Sequence, residues 1–132
     1  MNGNETVGDG PAMTRRFRFT RRQRLRRRSD FSRVFRCGAH AADQTLVVHL
    51  CRNGLSYSRL GVSVSKRVGN AVARNRWKRW IREAYRTQQH ELPAGFDMVV
   101  RPRRDAVGEY RAVERSLPRL VQRAHRRLAD RP

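Results

Sequence analysis

Apolar and polar side chains alternate along three segments of the chain, residues 45–51, 59–65 and 96–101. Alternation with a period of two predicts β-strands that each have one apolar face. In the second segment, the positions between the large apolar residues carry only small side chains, those of Gly61, Ser63 and Ser65. A strand face of this kind either packs closely against another element or leaves room for the backbone of a ligand.

Helical spacing of apolar residues predicts a short helix before the strands and a longer one between the second and third. Ser29 or Asp30 can cap the short helix, which would end at Gly38 and carry an apolar stripe of Phe31, Val34 and Phe35, with Val34 in the core. Asn70 can cap the longer helix, over residues 70–90. Its apolar side chains are Ala73, Trp77, Trp80, Ile81, Ala84 and Tyr85.

A third helical pattern covers residues 106–128 and contains a proline. Either the helix kinks at Pro118, or Ser116 caps a new helix with the proline in its first turn. The arginines on its far side are interpreted as diffuse positive charge rather than as a site; they are Arg119, Arg123, Arg126 and Arg127.

The connections suggest how the strands pair. A short loop containing Asn53-Gly54 joins residues 45–51 to 59–65, which predicts that these strands are antiparallel neighbours. The strand at 96–101 would lie parallel to that at 59–65, since the long helix joins them. The general rule expects a right-handed crossover for such a connection.

The charge of the chain points to a polyanionic partner. Its 132 residues include 31 basic and 11 acidic ones, for a formal net charge of +20, and all the basic residues except Lys66 and Lys78 are arginines. Self-repulsion on this scale opposes compaction, so a bound polyanion explains the charge better than a solvated surface does. Arginine offers planar forks for phosphate and flat faces for stacking on bases. Because there is no long apolar run or signal-peptide pattern, we expect a soluble cytoplasmic protein that is not bound to a membrane.

We expect one folded domain over residues 21–130, preceded by a disordered and basic arm over residues 1–20. The basic stretch at 14–28 includes Phe17 and Phe19, and as a free peptide it would be an extended phosphate-binding tail. Cys37 and Cys51 lack zinc-type spacing and are expected to be buried, reduced thiols. No P-loop, acidic cluster or nucleophile–histidine arrangement suggests itself, so we expect neither a catalytic residue nor a metal ligand in the protein.

The strand, turn and basic helix at residues 59–86 also carry a family resemblance. Within this stretch, SVSKRVGNAVARNRWKRWIREAYR resembles the signature of the bacterial ribonuclease P protein family, centred on Arg74-Asn75-Arg76 and followed by Lys78-Arg79. Residues 24–40 resemble the family's first helix, and residues 92–103 resemble its last strand. The likeness covers roughly residues 21–125 in the same order.

The resemblance implies an α+β two-layer sandwich with the order α-β-β-β-α-β-α, like that of certain ribosomal-protein second-domain folds. The sheet would be mixed, with the helices on one face and the other face mostly open. A further small strand is expected near residues 38–45. The family also implies a rare left-handed β-α-β crossover, and we adopt that expectation over the general rule.

The resemblance further implies a subunit of ribonuclease P, which removes the 5′ leader from precursor tRNA. In this family the RNA subunit carries the hydrolytic chemistry and uses Mg²⁺, so the protein would need no cofactor and no small-molecule substrate. Its partners would be ribonuclease P RNA and the leader. The expected RNA contacts are Lys66, Arg67, Arg74, Asn75, Arg76, Lys78, Arg79 and Arg82. The expected leader-binding cleft consists of Phe31, Phe35, His49, Ser63 and Ser65, where His49 replaces a common family aromatic.

Two other classes of protein fit parts of the pattern. A structural or ribosomal RNA-binding protein would share the charge and the type of fold but have no substrate role. A DNA-binding regulator could use residues 70–86 as a recognition helix, but a helix-turn-helix needs a preceding helix, whereas a strand leads into this one.

Overall fold

The computed structural model describes residues 18–131. Its helices are α1 (Arg28–Cys37), α2 (Ala71–Gln88) and α3 (Tyr110–Ala129). Its strands are β1 (Ala39–Ala42), β2 (Leu46–Arg52), β3 (Arg59–Val62) and β4 (Phe96–Pro102). Short 3₁₀ turns occupy Arg21–Gln23, Lys66–Val68 and Gln89–Glu91. The predicted order of elements is confirmed, and β1 is the small strand expected near residues 38–45.

The four strands form one mixed sheet in the order β1-β2-β4-β3. β3 and β4 are parallel neighbours, as predicted, with Gly61 opposite Val99. The predicted pairing of β2 with β3 is wrong, because β4 lies between them and pairs antiparallel with the whole length of β2. Residues 96–100 of β4 are buried on both faces, as suits a central strand. The left-handed sense of the β3-α2-β4 connection stays a prediction.

Helices cover both faces of the sheet, but to different extents. The larger core lies under α2 and α3 and includes Leu50, Met98, Ile81 and Leu120. On the opposite face, a smaller cluster joins Val34 of α1 to Leu25, Cys51 and Val99. Val34 is therefore a core residue, as predicted. The expectation that helices occupy one face only is wrong, although the ten-residue α1 leaves part of the second face open.

The ends of α1 differ from the prediction in two respects. The helix begins at Arg28, so Ser29 and Asp30 lie in its first turn and neither is the N-cap. Gly38 ends it as predicted. Cys37 is exposed rather than buried because it is the last residue of the helix, whereas Cys51 lies in the smaller core, and both thiols are free.

The structure resolves the alternatives at Pro118 in favour of one helix. α3 runs without a break from Tyr110 to Ala129, with the proline inside it. Proline has no N–H to donate to the carbonyl four residues earlier, which here belongs to Glu114. The side-chain amide of Gln88 donates to that carbonyl instead, at 3.1 Å. A hydrogen bond from α2 therefore replaces the one that the proline removes.

Arginines of α3 also bond the free edge of the sheet, where the sequence suggested only diffuse charge. Arg123 donates to the carbonyl of Ala42, and Arg127 donates to that of His40. Just past the end of α3, Arg131 donates to the carbonyls of Cys37 and Gly38 at 2.7 and 3.0 Å. These bonds satisfy carbonyls on and before β1 that no neighbouring strand can reach.

The basic segment before α1 is docked on the domain from Arg18 onward. Residues 1–17, for which we predicted disorder and the start of the arm, lie outside the described residues. The backbone N–H of Leu25 donates to the carbonyl of Leu60 at 2.9 Å, and the Phe19 ring contacts Tyr85 edge to face at 5.5 Å. Within residues 18–131, no helix is long and apolar enough to cross a membrane.

Candidate nucleic-acid interface

The basic face of α2 opens onto a pocket of about 400 Å³, here called the basic pocket. It lies between α2 and the docked segment of residues 18–27. Its lining consists of Phe19, Arg24, Asn75, Lys78, Arg79, Arg82, Glu83 and Arg86. Four of the predicted RNA contacts, Asn75, Lys78, Arg79 and Arg82, thus meet here, because residues three and four apart share one side of a helix.

The other predicted RNA contacts lie at the start of α2 and do not line this pocket. Asn70 caps the helix as predicted, with its side-chain oxygen accepting the N–H of Ala73 at 3.0 Å. Arg74 donates to the carbonyl of Gly69 at 2.9 Å, so its guanidinium is held over the preceding turn. That turn contains Lys66 and Arg67, both exposed, and Arg76 is exposed on the flank of the helix.

Gly69 is required by the backbone of that turn. Its φ of +151° lies in a region that other residues rarely adopt, and a Cβ there would lie 3.0 Å from the Cβ of Ala73. The hydroxyl of Ser65 accepts the N–H of Arg67 at 3.3 Å at the other end of the turn. The local sequence therefore fixes the path from β3 into the basic helix.

The uncovered part of the second sheet face, here called the open face, carries an aromatic and basic surface. Phe35 of α1 is 44% exposed and meets the ring of His49 edge to face at 4.8 Å. The His40 ring lies 5.6 Å from that of His49, and Arg101 Nε lies 3.5 Å from His49 Nε2. The open face thus presents flat rings beside a guanidinium, the combination that binds single-stranded nucleic acid by stacking and charge.

The imidazole of His49 is neutral near neutral pH. Burial, together with the nearby charges of Arg101 and His40, lowers its pKa to about 4. A neutral imidazole presents a flat ring and one free acceptor or donor, so its contribution at pH 7 is stacking or hydrogen bonding rather than charge.

Phe31 and Phe35 occupy different environments. The Phe31 ring lies against the backbone of β3, where a Cβ at position 61 would come within 2.6 Å of it. Gly61 therefore makes room for Phe31, which is partly buried and joins the smaller core. Its remaining surface lines a pocket of about 250 Å³ together with Arg82. Phe31 thus lies between the open face and the basic helix, while Phe35 is the more accessible ring.

Ser63 and Ser65 extend the open face beyond β3. Ser63 is partly exposed, and its N–H donates to the carbonyl of Val100 at 3.0 Å. Ser65 is exposed and lines a further pocket of about 560 Å³, together with Arg67, Trp77 and Arg101. Of the three small residues predicted for this face, Ser63 and Ser65 therefore leave accessible space, whereas Gly61 is buried and packs closely against Phe31.

A buried carboxylate anchors α1 to the sheet. Asp97 is fully buried and accepts two hydrogen bonds from Arg59, at 2.7 and 2.8 Å, as well as bonds from Arg33 of α1 and from Asn53. Burial alone would raise the pKa of Asp97, but the hydrogen bonds from Arg59 and Asn53 lower it below its usual value. This network fixes the helix that carries Phe35.

Comparisons with known proteins show the family of the chain. A family model described as Ribonuclease P matches residues 19–125. A relative named ribonuclease P protein component, from Thermotoga petrophila, is 45% identical over 96 residues, which are 73% of this chain and 82% of that one. The chain belongs to the ribonuclease P protein family.

Solved ribonuclease P proteins share the fold. The protein from Thermotoga maritima superposes with a TM-score of 0.70 at 38% identity, covering 76% of this chain and 96% of that one. The protein from Staphylococcus aureus gives a TM-score of 0.71 at 34% identity, covering 77% of this chain and 94% of that one. The predicted α+β fold with a mixed sheet is thereby confirmed as the fold of the ribonuclease P proteins.

Sequence reasoning missed several residues of these surfaces in this ribonuclease P protein. Arg24 lies in the basic stretch at 14–28, whose sequence gives no sign that it packs beside α2. Arg101 follows Val99 by two residues and therefore shares its strand face, a signal that could have placed it on the open face. His40 lies directly opposite His49 in the β1–β2 pairing, but the sequence indicates only a small strand near residues 38–45 and not its register.

Proposed function

We propose that this chain is the protein subunit of ribonuclease P and that it assists an RNA subunit in removing the 5′ leader from precursor tRNA. The observation that carries the proposal is that one domain presents a cationic helix beside an open sheet face with accessible aromatic rings. The reaction is inferred from family membership. The arrangement of the two surfaces supports separate roles for them, with one binding the leader and the other binding the RNA subunit.

The open face is the proposed leader-binding cleft. Phe35 and His49 offer rings on which successive bases can stack, and such stacking tolerates any sequence because every base has a π-face. Arg101, Ser63 and Ser65 offer donors to phosphate or ribose. A surface of this kind suits a substrate segment whose sequence differs from one tRNA precursor to the next.

The basic pocket and the start of α2 are the proposed contacts to ribonuclease P RNA. Lysine and arginine side chains that neutralise phosphates release counterions, and the resulting affinity falls steeply with salt. By screening repulsion between two polyanions, this surface would let divalent ions occupy the RNA active site at lower Mg²⁺ concentrations. In this account Mg²⁺ and the hydrolytic chemistry belong to the RNA subunit, and the protein acts in the cytoplasm.

Binding the leader would also give the enzyme a means to distinguish substrate from product. Precursor tRNA carries the leader and mature tRNA does not, so every contact on the open face strengthens substrate binding without strengthening product binding. Only such differential interactions improve discrimination, since equal affinity for both would slow product release.

Reconstitution tests the proposal. Bacterial ribonuclease P RNA should cleave precursor tRNA in multiple turnovers at low Mg²⁺ when this protein is added, and much more slowly without it. A structural or ribosomal RNA-binding protein would bind RNA yet leave the turnover rate unchanged, and that result would reject the proposal. An unrelated protein of similar net charge controls for unspecific screening.

A further inference from the structure

Two arginines from different elements line the basic pocket close enough for their charges to interact. Arg24 belongs to the docked segment of residues 18–27 and lies over the Phe19 ring, 4.9 Å from its centroid. Phe19 in turn packs on Tyr85 of α2. Arg82 projects from α2 into the same pocket. Aromatic contacts thus hold the guanidinium of Arg24 at the same pocket as that of Arg82.

These two positive charges lack a carboxylate partner in the part of the chain that the structure describes. There the ion pairs involve Arg33, Arg59, Arg86 and His90, but neither Arg24 nor Arg82. Glu83 is the one acid that lines the pocket, and it accepts two hydrogen bonds from Arg86, at 2.7 and 3.0 Å. The negative charge nearest to the pair is therefore already occupied.

The pair is also electrostatically unfavourable as it stands. Burial lowers the pKa of Arg82, and the positive charge of Arg24 lowers it further. Like charges held near each other, with partial burial, are stable only if something else offsets their repulsion. A pocket of about 400 Å³ between them has room for a phosphate group.

We infer that Arg24 and Arg82 form a clamp for a single backbone phosphate of RNA, and that the bound phosphate fastens the segment of residues 18–27 onto α2. Phosphate fits because it presents several oxygens that two guanidinium forks from different elements can bond together. The inference rests on the proposed role of α2 in binding ribonuclease P RNA. It adds Arg24, from the docked segment of residues 18–27, to that surface.

A double-mutant cycle with Arg24→Gln and Arg82→Gln tests the clamp, with the melting temperature measured at low ionic strength. Without anion, the coupling between the two positions should be unfavourable, since the charges repel. With inorganic phosphate it should change sign, because the two arginines then share a ligand. A coupling of unchanged sign would overturn the clamp. An equal rise in melting temperature on adding phosphate in the wild type, both single variants and the double variant would also overturn it.

Arg22 provides a matched control within the same segment. It also lies over an aromatic ring, that of Tyr57 at 4.6 Å, but it does not line the basic pocket. A cycle between Arg22→Gln and Arg82→Gln should therefore show no sign change with phosphate. Far-ultraviolet circular dichroism confirms that each variant is folded, and the comparison uses only differences between folded proteins.

Binding to ribonuclease P RNA over a range of salt concentrations separates RNA phosphate from free phosphate as the ligand. Losing one phosphate contact should reduce the slope of log K against log salt by about 0.7–0.9. If both arginines hold the same phosphate, each single variant and the double variant should show this one reduction. Additive reductions would overturn the shared clamp, and unchanged slopes with an intact phosphate effect would reject RNA as the source. If wild-type protein fails to bind the RNA, the proposed function fails, while the inorganic phosphate cycle still decides whether the clamp exists.

Discussion

Replacing Phe35 tests whether the open face binds bases or merely packs. The ring is 44% exposed, so it buries little more than half of its surface, mainly against His49. Full burial of phenylalanine makes its replacement by alanine cost about 3–5 kcal/mol. In proportion to its buried fraction, we therefore expect Phe35→Ala to lose about 2–3 kcal/mol of unfolding free energy. The variant should remain folded.

The effect on RNA binding should be selective for precursor tRNA. Stacking of one base on an aromatic side chain contributes about 1–3 kcal/mol, which corresponds to about 5- to 150-fold in affinity. Phe35→Ala should weaken the reconstituted enzyme's binding of precursor tRNA by such a factor and leave binding of mature tRNA nearly unchanged. Equilibrium binding of both tRNAs to the holoenzyme measures the two losses.

Two control variants separate stacking from packing. Phe35→Leu keeps an apolar side chain against His49 but removes the π-face, so it should lose most of the precursor affinity. Val107→Ala alters an apolar side chain that is 82% exposed in the loop before α3, and it should change neither affinity. Equal losses for precursor and mature tRNA in the Phe35 variants would refute a leader-binding role and make Phe35 a packing residue.

Three further predictions concern the scaffold that holds these surfaces. Asp97→Asn should cost about 3–5 kcal/mol of unfolding free energy, because it leaves Arg33 and Arg59 without their buried carboxylate. A loss below about 1 kcal/mol in chemical denaturation would show that the network contributes little to stability. The pKa of His49 in the folded protein, about 4, lies below its usual value, so the unfolded chain binds more protons between about pH 4 and 6.5. The free energy of unfolding should therefore rise with pH across that window, and less steeply in His49→Phe. Identical pH profiles of the two proteins would contradict the burial of this imidazole. Gln88→Ala should destabilise the protein by about 1 kcal/mol or more, because it removes the hydrogen bond to the Glu114 carbonyl. In a Pro118→Ala background the loss should be smaller, since the new backbone N–H can bond that carbonyl. Equal losses in both backgrounds would show that Gln88 does not stabilise the protein through this bond.

Much of the basic helix could be predicted from sequence because local chemistry determines it. Asn70 caps it, and the apolar spacing that ends in Ala84 and Tyr85 orients its basic side without reference to the rest of the chain. The strand before it was also correct in type, although it ends at Val62 rather than Ser65. Period, cap and turn all lie within one short stretch, so the prediction needed no long-range information.

The errors arose where the outcome depends on distant contacts. A short loop favours a hairpin between β2 and β3, yet β4 inserts because its five consecutive buried residues are best placed at the centre of the sheet. Leu25, which anchors the N-terminal segment, is a single apolar residue in a run of arginines, so the sequence pattern does not indicate that it is buried. Likewise, nothing near Pro118 in the sequence indicates that Gln88, thirty positions earlier, satisfies the carbonyl that the proline leaves free.

The candidate interface divides in the same way. Local periodicity brought together Asn75, Lys78, Arg79 and Arg82, since all four are on one helix. Arg24, Arg101 and Asp97 come from separate elements and meet their partners only through the fold. Surfaces built from several elements are therefore the part of this protein that sequence patterns describe least well.

The Mg²⁺ dependence of precursor tRNA cleavage tests the central claim most directly. Lys78→Gln with Arg79→Gln removes two charges from the basic pocket, whereas Arg111→Gln with Arg115→Gln removes two exposed charges from α3. The first pair should raise the Mg²⁺ concentration that the reconstituted enzyme needs for half-maximal cleavage, and the second pair should leave it at the wild-type value. Equal Mg²⁺ requirements in both double variants would show that total charge, rather than the basic face of α2, supports the reaction.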